Sequence, residues 1–258
     1  MKELYYIDTH VHLNDDALYL NLDEVINDSI KANVKKLFVV SWDLESSKKA
    51  LDIANKYPNV YAIIGYHPCN IKGYSEKEYK FLEEHINDEK VVAIGEIGFD
   101  FHWHDTTKEE QEISFIKQLE LAIKYHKPVS IHSRDADQAT FDILKKYHKD
   151  LTGCVLHCYG GSYELAKEYI KLGFMLGIDG PITFKNNRRG LEVVKNIPLE
   201  YLITETDSPY LSPEPFRGKI NNPKNIPYIV KKIAEIKEED EDIIKKQIID
   251  NVHKLFGV

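Results

Sequence analysis

Six side chains of the types that bind metal ions fall at the ends of short apolar runs along the chain. They are His10, His12, Glu96, His132, His157 and Asp207. Imidazole and carboxylate groups are good ligands for zinc, manganese and other first-row divalent ions. Two such ions a few ångströms apart can activate a water molecule and stabilise an in-line displacement. The six residues therefore predict a hydrolase with a divalent-metal site.

The order of these residues suggests a role for each. His10 and His12 are two residues apart, so both side chains point the same way on an extended segment. Glu96 lies between the two pairs of histidines and is predicted to bridge two ions. Asp207 is predicted to hold one ion and to take the proton from the attacking water, so that Glu96 and Asp207 are the catalytic candidates. The predicted cofactor is two divalent ions of Zn, Mn or Mg.

Each of these residues also has a structural interpretation. A single histidine at a strand end is more often a hydrogen-bonded structural residue, and a His-x-His pair recurs by chance. The joint pattern favours the metal site, because four histidines and two acids all fall at the expected ends of strands. A second pair, His102 and His104, lies well past a strand end, where a substrate contact is favoured over a metal.

The elements that would position these residues alternate along the chain. Short runs rich in Val, Ile, Leu and Tyr predict strands, and longer segments with helical spacing lie between them. The predicted strands are Leu4–His10, Lys36–Ser41, Val60–Gly65, Val91–Glu96, Pro128–His132, Gly153–His157, Phe174–Ile178 and Tyr201–Thr206. This alternation predicts a (β/α)8 TIM-type barrel over residues 1–258 as a single domain, with the metal site at the C-terminal ends of the strands. An open doubly wound sheet is the alternative, but no glycine-rich phosphate motif follows an early strand.

Basic residues in the loops after the strands predict an anionic substrate. His67 follows the third strand, Arg134 follows His132, and Arg217 and Lys219 follow the eighth strand. These four are the predicted substrate-binding residues. A second basic group, in the loop after strand seven, comprises Lys185, Arg188 and Arg189. Loops in this part of a barrel often bind phosphate, and guanidinium groups bind it in a bidentate manner. A solvated charged surface is the alternative for each cluster taken alone.

Bulk properties exclude several classes of protein. The net charge of −8 argues against a broad basic surface that binds nucleic acid tightly, although a local basic patch can still hold a compact anion. No apolar run approaches the roughly 18 residues of a membrane span. Three cysteines at low density fit a reducing compartment and predict a cytoplasmic protein. The expected partner is DNA or another phosphate-bearing substrate, with no membrane and no obligate protein partner.

The motifs together resemble one family. The segments IDTHVHL, GYHP, GEIGFD, PVSIHSRDA, LHCYGG, ETDSPYLSP and RGKINNP occur in the order found in the TatD family of metal-dependent deoxyribonucleases, from Asp8 to Pro223. The resemblance implies a TIM-type barrel of the amidohydrolase superfamily. It also implies one ion held by His10, His12, Glu96 and Asp207, and a second held by Glu96, His132 and His157.

The chain departs from the common family pattern outside these ligands. Asn14 stands where an acid is usual, and Ile220 and Asn222 stand where an arginine and a glutamate are frequent. These changes affect the expected substrate contacts. The sequence therefore favours a deoxyribonuclease that uses a metal-activated water. An amide, lactone or carboxylic-ester hydrolase on the same barrel is the alternative, because the same ligands serve acyl chemistry. A non-catalytic metal-binding scaffold is the third hypothesis. It is disfavoured because the complete set of predicted ligands and the proposed base are present.

Overall fold

The fold is built around an eight-stranded parallel sheet whose strands follow one another in chain order. The computed structural model describes residues 3–72 and 75–258. The strands are β1 (Tyr6–Val11), β2 (Val34–Val40), β3 (Val60–Ile64), β4 (Val91–Asp100), β5 (Val129–Arg134), β6 (Cys154–Leu156), β7 (Met175–Ile178) and β8 (Leu202–Thr204). Each strand pairs in parallel with the next. The predicted barrel is confirmed.

The chain segment that follows β8 returns to the segment of β1. The backbone N–H of Asp207 donates to the carbonyl of His10 at 2.9 Å, and the N–H of His12 donates to the carbonyl of Ser208 at 2.8 Å. The side chain of Thr204 adds a hydrogen bond of 3.0 Å to the carbonyl of Ile7. These bonds link the first and last strands, so closing the barrel also brings Asp207 beside the two histidines of β1.

Helices on the outside of the sheet connect the strands. They are α1 (Asp16–Tyr19), α2 (Leu22–Lys31), α3 (Leu44–Lys56), α4 (Glu76–His85), α5 (Lys108–Lys124), α6 (Asp137–Tyr147), α7 (Tyr163–Lys171), α8 (Arg188–Asn196), α9 (Ile226–Lys237) and α10 (Glu241–Phe256). Side-chain caps fix several starts. Thr107 accepts from the N–H of Glu110, whose carboxylate accepts in return from the N–H of Thr107. None of the described helices is long and apolar enough to cross a membrane.

One strand differs from its prediction in a way that matters for function. The other seven strands end within two residues of the predicted positions, but β4 continues four residues beyond Glu96, to Asp100. All ten of its residues are buried. The additional residues pair with β5, with Gly98 opposite His132 and Asp100 opposite Arg134. This extension carries a second acid, Asp100, to the mouth of the barrel.

The hydrophobic core is made largely of side chains from the strands and the helices that cover them. Branched aliphatic side chains such as Ile63, Ile94 and Ile131 are fully buried. A packed interior of this kind holds the strand ends in fixed positions. The side chains that project from those ends are therefore presented on a rigid frame.

Candidate metal centre

The first group of predicted ligands gathers around one point at the mouth of the barrel. The Nε2 atom of His12 lies 3.2 Å from the Oδ1 atom of Asp207. The Nε2 atom of His10 lies 3.7 Å from the same oxygen. Bonds of about 2.0–2.2 Å place the ligands of one zinc ion roughly 3–3.6 Å apart, so these spacings suit a shared ion.

Glu96 faces both groups of histidines with different oxygens. Its Oε2 atom lies 3.4 Å from His10 Nε2 and 4.0 Å from His12 Nε2. Its Oε1 atom lies 2.6 Å from His132 Nδ1 and 3.0 Å from His157 Nε2. A carboxylate with one oxygen toward each group has the geometry expected of a bridging ligand. The structure thus brings together all six residues named by the sequence.

The environment of His10 provides a test of whether this group fits a metal. The side chain is fully buried, yet among the described residues neither ring nitrogen has a hydrogen-bond partner. Buried polar atoms without partners are rare, because losing water without a replacement bond costs free energy. Burial and the adjacent His157 also lower the pKa of His10, which keeps the ring neutral. A neutral, buried and unbonded imidazole beside carboxylates fits a metal ligand.

Hydrogen bonds on the far sides of two histidines set which nitrogen is available. The Nδ1 atom of His12 lies 3.1 Å from the carbonyl of Val40, which can only accept, so Nδ1 carries a proton. The Nδ1 atom of His157 lies 3.3 Å from a carboxylate oxygen of Glu205. Burial works to lower the pKa values of both rings, but the nearby carboxylates raise them, and binding of a cation would displace the proton from Nε2. The Nε2 lone pair would then face the site, which is the usual arrangement around metal-binding histidines.

His132 and Asp100 repeat this arrangement on the other side of the site. The Nε2 atom of His132 lies 3.0 Å from Asp100 Oδ2, and its Nδ1 atom faces Glu96. Burial works to raise the pKa of the Asp100 carboxyl, but the hydrogen bond from His132 holds that pKa at about 2. Asp100 therefore stays ionised and orients His132.

Asp207 and Glu96 are both held in their ionised forms. Burial works to raise the pKa of Asp207, but the hydrogen bond from His12 and the nearby histidines hold that pKa below its usual range. Burial likewise opposes ionisation of Glu96, and His157 and His132 overcome it and keep its pKa well below the ordinary value. Asp207 also has a left-handed backbone, with φ of 53°, which aspartate tolerates better than most residues. The turn aims its carboxylate at His10 and His12.

Sequence reasoning did not identify two carboxylates behind the histidines, Glu205 and Asp100. Glu205 is buried and accepts a hydrogen bond from the backbone N–H of Cys158 in addition to its contact with His157. Its position two residues before Asp207 was the available signal, but β8 ends at Thr204, so strand alternation does not fix the direction of its side chain. Asp100 gave a weaker signal, because its strand was expected to end earlier.

The four predicted substrate contacts are divided between two places. His67 and Arg134 line the main cleft above the ligands, which has a volume of about 1180 Å³. Arg189, from the basic segment after β7, lines it as well. Arg217 lies over the ring of Phe184, and Lys219 lines a separate groove beside α2. Neither Arg217 nor Lys219 is among the described residues that line the main cleft, and their contact with substrate stays a prediction.

The chain is similar to known proteins of one family. The profile of a family described as TatD related DNase matches residues 7–257. The chain belongs to the TatD family. A relative from Bacillus subtilis, described as the uncharacterized metal-dependent hydrolase YabD, is 39% identical over 97% of this chain and 98% of its own length. Another from Escherichia fergusonii, described as the 3'-5' ssDNA/RNA exonuclease TatD, is 33% identical over 97% of this chain and 98% of its own length.

A solved TatD structure agrees with this assignment. The crystal structure of YJJV, a TatD homologue from Escherichia coli K12, matches this fold with a TM-score of 0.94 and 29% sequence identity, covering 98% of each chain. The family resemblance predicted from the motifs is confirmed. The protein is a TatD-family metal-dependent hydrolase, and its clustered histidine and carboxylate side chains include groups that could hold metal ions.

A substitution of Glu205 would test its role behind His157. We expect Glu205→Gln to weaken metal affinity about 10- to 100-fold, because a neutral amide favours the proton on Nδ1 of His157 less than the carboxylate does. Isothermal titration calorimetry of the chelator-treated protein with a divalent metal measures this change. Glu200→Gln, which alters a glutamate before β8, serves as the control. Unchanged affinity in the Glu205 variant would show that His157 does not depend on this carboxylate.

Proposed function

We propose that the protein is a deoxyribonuclease that hydrolyses phosphodiester bonds with two divalent metal ions. The observation that carries this proposal is the shared cleft. Arg134 and Arg189 line the same cavity as the buried ligand cluster. Cations beside a metal site suit a phosphate diester, whose charge an amide or neutral ester lacks. The exonuclease name of the Escherichia fergusonii relative supports the same substrate class.

The ligand cluster divides into two sets. His10, His12 and Asp207 would hold one ion and His132 and His157 the other, with Glu96 between them. When bound, the ions would supply activation of a water molecule and neutralisation of charge on the phosphate. The protein's own side chains orient these groups, because Glu205 and Asp100 fix the rings of His157 and His132.

His67 is suited to contact the substrate. Its Nδ1 atom accepts a hydrogen bond of 3.2 Å from the backbone N–H of Cys69, so the ring proton lies on Nε2. Nε2 is 3.8 Å from Glu96 Oε1, at the edge of the ligand cluster. Burial lowers the pKa of His67 to about 3, so the ring is neutral at physiological pH. We infer that His67 donates from Nε2 to a phosphate oxygen.

Asp207 is suited to accept a proton. Its carboxylate is ionised, fixed by the turn after β8 and in contact with His12. An ionised carboxylate at the edge of the cleft can take a proton from an attacking water and pass it to solvent or to the leaving oxygen. Asp207 would therefore combine ligation with general-base action.

A direct assay tests the nuclease proposal. Protein stripped with chelator is reloaded with Mg, Mn or Zn and given labelled single-stranded DNA beside a panel of amides, lactones and esters. We expect DNA cleavage with at least one metal and none in excess chelator. Absence of DNA cleavage with every metal, together with turnover of an amide or ester, would assign the same site to acyl chemistry instead.

A further inference from the structure

A large aromatic side chain is exposed at the rim of the cleft. Trp103 lies in the loop between β4 and α5 and is 53% exposed, although it lines the same cavity as His132 and Glu96. Leaving so much of an indole in water forgoes the free energy of burying it. An exposed tryptophan that lines the cleft of the ligand cluster is placed to contact a bound ligand.

A cation accompanies this aromatic ring. The guanidinium carbon of Arg134 lies 5.7 Å from the centroid of the Trp103 ring, within the range of a cation–π contact. Within residues 3–72 and 75–258 Arg134 takes part in no ion pair, and the carboxylate of its neighbour Asp135 pairs with His102 at 3.2 Å. The His102 ring meets Trp103 nearly at right angles, with centroids 4.9 Å apart. The charge of Arg134 is thus available to an anion.

Asp100 connects this aromatic group to the metal centre. Its Oδ1 atom accepts hydrogen bonds from the backbone N–H groups of His102 and Trp103, at 3.0 and 3.1 Å. Its Oδ2 atom contacts Nε2 of His132 at 3.0 Å. Arg134 follows His132 by two residues on β5, opposite Asp100. The backbone that carries the indole and the backbone that carries the guanidinium are therefore both held close to the ligand cluster.

We propose that Trp103 and Arg134 form a subsite for one unpaired nucleobase and its phosphate. The base stacks on the exposed surface of the indole, and Arg134 binds the adjoining phosphate. Stacking accepts any base, because every base has a π face, but it requires a base that is not paired. This inference rests on the proposed nuclease function and refines it by assigning two residues to a nucleotide beside the reacting phosphate, without base selectivity. The cleft volume of about 1180 Å³ leaves room for a nucleotide beside the reacting phosphate.

Cleavage kinetics on two matched substrates test the subsite. One is a single-stranded oligodeoxynucleotide, and the other has the same length and phosphates but abasic residues at both ends. For Trp103→Ala we expect KM for the first substrate to rise about 5- to 100-fold with kcat little changed, the range of one base–aromatic stack. KM for the abasic substrate should not change. Trp103→Phe, which keeps an aromatic ring, should recover part of the loss.

Tyr19→Ala is the matched control. Tyr19 is also an exposed aromatic residue with a cation, Lys49, over its ring, and it does not line the main cleft. Its substitution should leave both KM values unchanged. An equal rise in KM on both substrates for Trp103→Ala would show that Trp103 only supports the loop, and no rise on either would show no contact. Either result overturns the subsite.

Binding is also measured without cleavage. In a Trp42→Phe background Trp103 is the sole tryptophan, so its fluorescence reports directly on stacking. We expect the single-stranded oligonucleotide to quench this signal and the abasic one to leave it unchanged. Because Trp42 packs against His12, cleavage is scored in the protein that keeps Trp42. Quenching in the Trp42→Phe background, with no cleavage by the unmodified protein under any metal, would reject the nuclease proposal while keeping the base subsite. Cleavage without quenching would reject the subsite while keeping the nuclease.

Discussion

Asp207→Asn is expected to lower kcat for DNA by at least about 10³-fold while the protein stays folded. The change removes a proposed ligand of one ion and the group proposed to take the proton, and general-base catalysis alone contributes about 10²- to 10⁴-fold. Asparagine has nearly the same shape and tolerates the left-handed backbone at this position. Steady-state kinetics, with circular dichroism as a check on folding, measures the effect.

Asp137→Asn is the control for this variant. Asp137 is an exposed aspartate at the start of α6 that lines the same cleft without contacting His10 or His12. Its substitution changes the cleft charge by the same amount and should leave kcat within a few-fold of the unmodified protein. If Asp207→Asn kept the wild-type kcat, both proposed roles of Asp207, as ligand and as base, would be contradicted.

Glu96→Gln is expected to reduce the metal content from the proposed two ions per chain to one or fewer, and to abolish turnover as a result. The two oxygens of Glu96 face opposite groups of histidines, and a glutamine offers only one oxygen, without charge. Elemental analysis after dialysis gives the metal content, and the DNA assay gives turnover.

Glu192→Gln, at an exposed glutamate of α8, controls for the loss of one negative charge. It should bind metal as the unmodified protein does. Two tightly held ions in Glu96→Gln would contradict a bridging role for this carboxylate. One ion with substantial activity would show that a single-metal site suffices for the reaction.

The sequence predicted much of this architecture because the strand pattern is strong. The strands are short apolar runs, and a parallel barrel presents all their C-terminal ends on one face. Once the runs are recognised, His10, Glu96 and Asp207 must come to the same face although they are far apart in the chain. The strand boundaries were predicted less well, because the apolar residues after Glu96 continue β4 where the sequence predicted a loop.

The side chains behind the ligands were beyond the reach of sequence reasoning. The contact of Glu205 with His157 joins residues 48 positions apart, and that of Asp100 with His132 joins residues 32 positions apart. Each depends on the direction in which a ring is turned, which strand periodicity does not specify. Arg217 and Lys219 illustrate the same limit, since a loop position gives no direction for a long flexible side chain.

The sequence by itself was enough to predict the fold, from strand periodicity, and the family, from its motifs. It also named six candidate ligands, because chain order fixes which residues reach the mouth of the barrel. Only the tertiary structure decided how they are arranged. It gave Glu96 one oxygen toward each group, placed carboxylates behind His132 and His157, and joined Trp103 to the centre through Asp100. These features follow from barrel closure and side-chain packing, which set orientations that no local pattern encodes.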